Sequence, residues 1–237
     1  MAYYIGLSAL SIDAGAAVNN GANSGGKGEG RKSLLSVEAR RILPLFEGMP
    51  VNENSIAREK QGRPFFPGRE FDFSISHSGS IAAVSYAGGG ISRTGCDIEM
   101  IRYRPGAMGI ANDFFSTDEK KYLFPGDVFD HARFYRIWTL KECFIKLRGL
   151  SVFDMAACPS FISDGAFAFG AAVSLPLLFC LYELSGSSGD RYMLAASIEG
   201  EQTRPQIRWF SQLSLDCKRI AEIKAAPNPA ETVRPKM

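Results

Sequence analysis

Phe134–Gly149 reads FYRIWTLKECFIKLRG, and upstream of it Gly95–Glu99 reads GCDIE. Trp138, Cys143, Phe144, Ile145 and Leu147 make the first stretch apolar around much of its circumference. That pattern predicts a largely buried helix, over about 129–148, with Gly149 as its C-terminal cap. Glu142 and Lys146 fall one turn apart, on a face shared with Tyr135, Trp138 and Thr139. On an exposed helix this spacing is an ordinary surface ion pair. On a buried one, a carboxylate and an ammonium need partners or mark a site.

Asp97 and Glu99 are two positions apart, so on a strand both point to one face while Cys96 and Ile98 point to a core. Like charges so close repel unless a cation or basic groups offset them. Taken alone, such a pair reads as a solvated polar face on an edge strand. Taken with the helix, three carboxylates and an ammonium that can converge point to a hard divalent cation beside a phosphorylated substrate. Oxygen ligands without thiolates or paired histidines favour Mg²⁺ (or Mn²⁺) over zinc.

Outward from these stretches, Tyr3–Leu10 reads as an opening strand. Residues 14–30 form a glycine- and asparagine-rich flexible loop. Ser33 can cap a helix with Leu34, Leu35, Val37, Ile42 and Leu43 on one face. Phe71–Ser76 alternates apolar and polar residues, the mark of a half-buried strand. His77-Ser78-Gly79 is read as its turn and Ile81–Tyr86 as the return strand. Ser76, His77 and Ser78 could hold an anion there; a Ser–His nucleophile has no GxSxG elbow to support it.

Helices are expected near Ala107–Phe115 and Thr117–Leu123. Strands follow at Phe161–Phe169, Val173–Leu184, Arg191–Ile198 and Gln206–Phe210, with a hairpin turn at Gly186–Asp190. Helices with antiparallel meanders in each half favour α+β over alternating parallel α/β. The expected division is an N-terminal α+β half over 1–101, a C-terminal α+β half over 102–224 and a disordered tail over 225–237.

The 237 residues suffice for one large domain or two small ones, and 46% of them are hydrophobic. Lys and Arg number 27 against 25 Asp and Glu, which gives no argument for a nucleic-acid partner. The five cysteines lack a CxxC pair, so a reducing cytoplasm fits better than a disulfide framework. No secretory signal and no bilayer-spanning run is read from the sequence.

Together the motifs resemble the 4′-phosphopantetheinyl transferases of the long, monomeric type. That family's G-x-D-x-E strand is met by Gly95-Cys96-Asp97-Ile98-Glu99. Its W-[ST]-x-K-E-[AS]-x-x-K helix is met by Trp138 to Lys146, with Cys143 where Ala or Ser is usual. Gly62-Arg63-Pro64, Phe73 to Ser78 and Phe114 to Glu119 are similar to its remaining elements, in order, across 62–149. The resemblance implies two pseudo-symmetric α+β halves, each an antiparallel sheet packed with helices, with coenzyme A between them. It also implies transfer of the phosphopantetheine arm to a serine of an acyl or peptidyl carrier protein, with release of 3′,5′-ADP.

By position, Asp97, Glu99 and Glu142 would hold Mg²⁺, and Lys146 would bind the diphosphate. His77, with Ser76 beside it, would contact the 3′-phosphate; Gly62, Arg63 and Pro64 would line the adenine side. Lys141 and Lys32 are further coenzyme-binding candidates. Glu142 is the expected base and Glu119 its rival. Phe114, Phe115, Lys120 and Lys121 are candidates for carrier docking. The competing readings are a non-catalytic paralogue that binds coenzyme A or a carrier, and a Mg²⁺-dependent phosphohydrolase.

Overall fold

The computed structural model describes residues 2–9, 37, 39–43, 45–46, 55–89, 93–186, 189–200, 203–210 and 215–227. The loop expected at 14–30, Lys32 and most of the expected tail lie outside them.

Two four-stranded sheets carry the fold. The first has the order β11 (Gln206–Trp209), β1 (Ala2–Ala9), β5 (Ile81–Gly88), β4 (Phe71–Ser78). The second has the order β12 (Asp216–Ala225), β9 (Leu177–Ser185), β10 (Arg191–Glu199), β6 (Thr94–Met100). Two short hairpins complete the strands, β2 (Ala57–Arg58) with β3 (Pro64–Phe65), and β7 (Ile162–Ser163) with β8 (Ala166–Phe167). The helices are α1 (39–43 and 45–46), α2 (Ala107–Phe114), α3 (Thr117–Tyr122) and α4 (His131–Arg148).

Side-chain alternation builds three stacked cores. Tyr3, Ile5 and Leu7 of β1 and Ile81 and Ala83 of β5 meet Leu178, Cys180, Leu194 and Ala196, so the two sheets pack face to face. The opposite side of the first sheet, with Phe73, Ala82 and Val84, is covered by Ala39, Ile42 and Leu43 of α1. The outer face of the second, with Leu177, Phe179, Leu181, Met193 and Ala195, is covered by α4 and its neighbours through Ile137, Leu140, Phe144 and Leu147. The result is a helix–sheet–sheet–helix stack, an α+β architecture as expected.

The structure differs from these expectations at several points. The first sheet is not wholly antiparallel, because β11 pairs parallel to β1. The sheets also exchange strands across the sequence midpoint: β6 pairs with β10, and β11, from far downstream, pairs with β1. His77 lies within β4 rather than in a turn; the chain reverses at Gly79-Ser80, with Gly79 at φ 59°. Phe161–Phe169 forms only the two-residue strands of a hairpin, and the strand expected from Val173 starts at Leu177, after Pro176.

Two glycines set the approach of α4 to β6. Gly149 takes φ 67° at the helix end, the left-handed conformation that stops the helix. A Cβ on Gly95 would collide with the Cys143 carbonyl oxygen and the Leu147 amide, so only glycine lets α4 sit this close on the strand that carries Asp97.

Candidate active site

β4 and β6 are edge strands of different sheets, and they are joined by side chains. Asp72 accepts from the Thr94 amide (2.7 Å), Ser76 Oγ from the Ile98 amide (3.3 Å) and Ser78 Oγ from the Met100 amide (3.0 Å). The polar face of the alternating strand therefore seals a seam instead of facing water, and it satisfies amides that an open edge would leave unpaired.

Along this seam and the facing side of α4 lies a cleft of about 360 Å³, lined in part by Ser76, His77, Asp97, Glu99, Glu142 and Lys146. The Lys146 ammonium donates to Asp97 Oδ1 (2.7 Å) and Ser76 Oγ (2.9 Å), and Ser76 Oγ donates to the same Asp97 oxygen (2.7 Å). Glu99 accepts from Ser78 Oγ (2.9 Å) and from the Trp138 indole (3.3 Å).

Burial, then the charge of Asp97, push Glu142 up to about 7 against the pull of Lys146. Glu99 is raised for the same two reasons, while its bonds from Ser78 and Trp138 oppose the shift. Burial pulls the Lys146 ammonium down, but Asp97 and other negative neighbours outweigh it, and its pKa is raised.

Among the described residues no three His, Cys, Asp or Glu are grouped to enclose a cation. Mg²⁺ held by one or two carboxylates, phosphate oxygens and water does not require such a cage. Among the described residues Asp97 Oδ2 is buried without a hydrogen-bond partner, and the largest influences on Glu142 are burial and neighbouring charges. Two open carboxylates thus fit a hard cation completed by substrate. Both Glu99 oxygens are engaged by protein donors, so the three expected ligands are not equivalent.

Other candidates are placed elsewhere. Pro64 lines the cleft, whereas Arg63 is buried in bonds to Asp72, Thr94 and Lys146, and neither it nor Gly62 is in the lining. Lys141 lies on another side of α4, where its ammonium is 3.1 Å from Glu119. Glu119 is fully buried: it caps α3 through the Ser116 amide (2.8 Å) and accepts from the Phe161 amide (2.8 Å). It therefore stands outside the cleft. Phe115 is buried and stacks on Phe134, so of the docking candidates only Lys121 is exposed, with Lys120 and Phe114 half-buried. Cys143 packs in the core and donates to Ser197 Oγ (3.2 Å), away from the chemistry.

Sequence reasoning missed Arg40 and Arg58, which line the cleft with His77. Arg40 lies on the polar side of the expected helix after Ser33, and Arg58 lies four residues before the Gly62-Arg63-Pro64 element, so neither carried a local signal of its own.

These features define a class: an α+β protein with a carboxylate–lysine centre in a cleft at the seam of two sheets. Residues 93–170, which hold β6, α2, α3 and α4, match the 4′-phosphopantetheinyl transferase superfamily. The chain is 37% identical over 103 residues to the 4′-phosphopantetheinyl transferase AcpT of Salmonella typhimurium, covering 43% of this chain and 53% of that one. It is 35% identical over 132 residues to the 4′-phosphopantetheinyl transferase psf-1 of Bacillus pumilus, covering 52% of each. Over 126 residues it is 29% identical to the 4′-phosphopantetheinyl transferase Sfp of Bacillus subtilis, covering 52% of this chain and 54% of that one. The chain thus spans about half the length of the curated relatives it matches.

Proposed function

We propose that this chain is a 4′-phosphopantetheinyl transferase that moves the phosphopantetheine arm of coenzyme A to a serine of an acyl or peptidyl carrier protein. The observation that carries the reading is the cluster of Lys146, Asp97 and Ser76 beside Glu142, with one Asp97 oxygen left unpaired. Similarity to three proteins named for this activity supports it. A pseudo-twofold relation of the two sheet-and-helix units, monomeric state and cytoplasmic location belong to the same reading.

In this reaction the serine oxygen bonds to the phosphorus that carries the pantetheine arm. The bond from that phosphorus to the bridging oxygen breaks, and 3′,5′-ADP leaves. Glu142 takes the serine proton, since its carboxylate lines the cleft beside Lys146. Lys146 lies against the diphosphate and stabilises charge growing on the leaving group. Mg²⁺, when bound at Asp97 and Glu142 with Glu99 beside them, supplies Lewis-acid neutralisation of the diphosphate. Arg40, Arg58 and His77 supply donors to the 3′-phosphate, a task for which the resemblance also offers Lys32. Pro64, Ile56 and Ile75 form the apolar wall for the adenine.

Intact-mass analysis of an apo carrier protein incubated with this chain, coenzyme A and Mg²⁺ tests the proposal. The expected result is a gain of one phosphopantetheine arm that EDTA abolishes. No gain on several carrier types while coenzyme A still binds would make this a binding-only relative. Release of 3′,5′-ADP without any carrier would make it a hydrolase.

A further inference from the structure

Arg63 is 8% exposed and spends its guanidinium on protein rather than on the cleft. Nη1 and Nη2 form a fork on the two Asp72 oxygens (2.8 and 2.5 Å). Nη2 also donates to the Thr94 carbonyl (2.9 Å), and Nε donates to the Lys146 carbonyl (2.9 Å). Asp72 in turn accepts from the Thr94 amide. One residue thereby ties together the start of β4, the start of β6 and the last turn of α4.

The Lys146 carbonyl belongs to the last turn of α4, where carbonyls lack full helical partners; its bond from the Gly149 amide is long, at 3.4 Å. A cation at a helix C-terminus also suits the macrodipole, and here the Asp72 carboxylate balances its charge. On the same two elements, the Lys146 side chain must reach Ser76 and Asp97 together. Arg63 therefore holds the backbone on both sides of that contact, at Lys146 itself and at Thr94, three residues before Asp97. In sequence it also closes the β2–β3 turn: the Glu59 amide donates to its carbonyl (2.8 Å), and Arg58 Nη1 donates to the Gly62 carbonyl (2.7 Å). Arg58 and Pro64, on either side of Arg63, line the cleft.

We infer that Arg63 is a positioning residue. It sets the registry of the Lys146 end of α4 against Asp97 on β6. It acts through Lys146 and not by touching the coenzyme. The inference rests on the coenzyme A reading above. A lysine at position 63 keeps the charge but cannot form the fork and both carbonyl bonds at once.

The test is a double-mutant cycle of Arg63→Lys with Lys146→Met, read in coenzyme A affinity with Mg²⁺ and in single-turnover transfer, with thermal melts alongside. On the wild-type background Arg63→Lys is expected to cost up to about 10²-fold in rate, the scale of a small misplacement at a reacting centre. On the Lys146→Met background the same change should cost no more than about 2-fold, since the group it positions is gone. Equal losses on both backgrounds would overturn the inference and return Arg63 to direct coenzyme contact. A lower melting temperature with unchanged affinity and rate at a temperature where the variant is folded would overturn it too, leaving Arg63 a purely structural residue. Should Arg63→Lys not fold, Asp72→Asn removes the charge pair, keeps both carbonyl bonds, and must show the same dependence on Lys146. A wild type that binds no coenzyme A would sink the functional reading and this inference with it, whereas a binding wild type with multiplicative losses would sink only the clamp.

Discussion

Lys141 and Lys146 both leave α4 to meet a buried carboxylate, and the difference between the two pairs separates architecture from chemistry. Lys141 and Glu119 are 1% and 0% exposed, and every part of the pair is occupied: Glu119 takes the Ser116 and Phe161 amides, and Lys141 also reaches the Pro159 carbonyl. Lys146 is 28% exposed on its side chain, and its partner Asp97 keeps one buried oxygen without a donor. The two lysines project about 140° apart around the helix. One pair is closed and holds α3 and the β7–β8 hairpin against α4. The other is open and left incomplete toward a cleft.

Breaking each pair at the lysine sharpens the contrast most. Lys141→Met leaves Glu119 buried without its counter-charge and should cost about 3–5 kcal/mol of stability, read by chemical denaturation. Lys146→Met should leave a folded protein, because Asp97 keeps the Ser76 hydroxyl and faces the cleft. Its expected loss is about 10²–10³-fold in transfer rate. If Lys141→Met were as stable as the wild type, or Lys146→Met as active, the division between closed and open pairs would be wrong.

The second contrast is with Glu142, a carboxylate in the open site whose charge is opposed by burial and Asp97 more than it is favoured by Lys146. Its pKa of about 7 in the folded protein lies above the unfolded value near 4.5, so the folded state holds its proton longer. The sign follows: Glu142 destabilises the metal-free protein as pH rises from about 4.5 to 7, by on the order of 2–3 kcal/mol once above it. Glu142→Gln should therefore raise the melting temperature of metal-free protein at pH 8 and change it little at pH 4.5. With Mg²⁺ present, Glu142→Gln should lose about 10²–10⁴-fold in kcat/KM for transfer. A loss of less than about 2-fold would move the base elsewhere.

The open pair was largely legible in the sequence, and the closed one was not. The i, i+4 spacing put Glu142 and Lys146 on one face, the period of two put Asp97 beside Glu99, and the G-x-D spacing carried the close helix–strand approach that Gly95 permits. Each of these is local geometry within one element. Lys141 and Glu119 stood in the same motifs and were read as coenzyme ligand and rival base, because a motif gives a residue's neighbours in sequence but not the side of the helix that another layer covers. The bonding of Arg63 is hidden for a related reason: its four bonds run to β4, β6 and α4, which no single window contains. The strand at Phe71–Ser78 was recognised from its alternation, yet its polar face turned out to be the seam between sheets, a fact fixed only when β6 falls beside it. The parallel pairing of β11 with β1 is likewise a long-range contact without a periodic signal.

Cys143 is a quieter test of the same distinction. It departs from the small residue usual at its motif position, but its thiol points into the core and bonds Ser197 Oγ. Cys143→Ala should cost about 1 kcal/mol of stability and leave transfer within about 2-fold of the wild type. A large loss of rate with little loss of stability would show that the core side of α4 reaches the chemistry after all.

The smallest effect belongs to Lys121, an acid–lysine contact that is neither closed nor open. Its ammonium lies 3.4 Å from Asp118, with both side chains well exposed, so the pair contributes little to the fold. That makes the position informative for partner binding. Lys121→Glu should leave stability within about 0.5 kcal/mol and leave coenzyme A affinity unchanged, because nothing in the core or the cleft depends on it. If an acidic carrier docks along α3, its KM should rise about 2–5-fold, and the rise should shrink as salt is added. An unchanged carrier KM at low salt would remove α3 from the docking surface, with folding excluded as the cause.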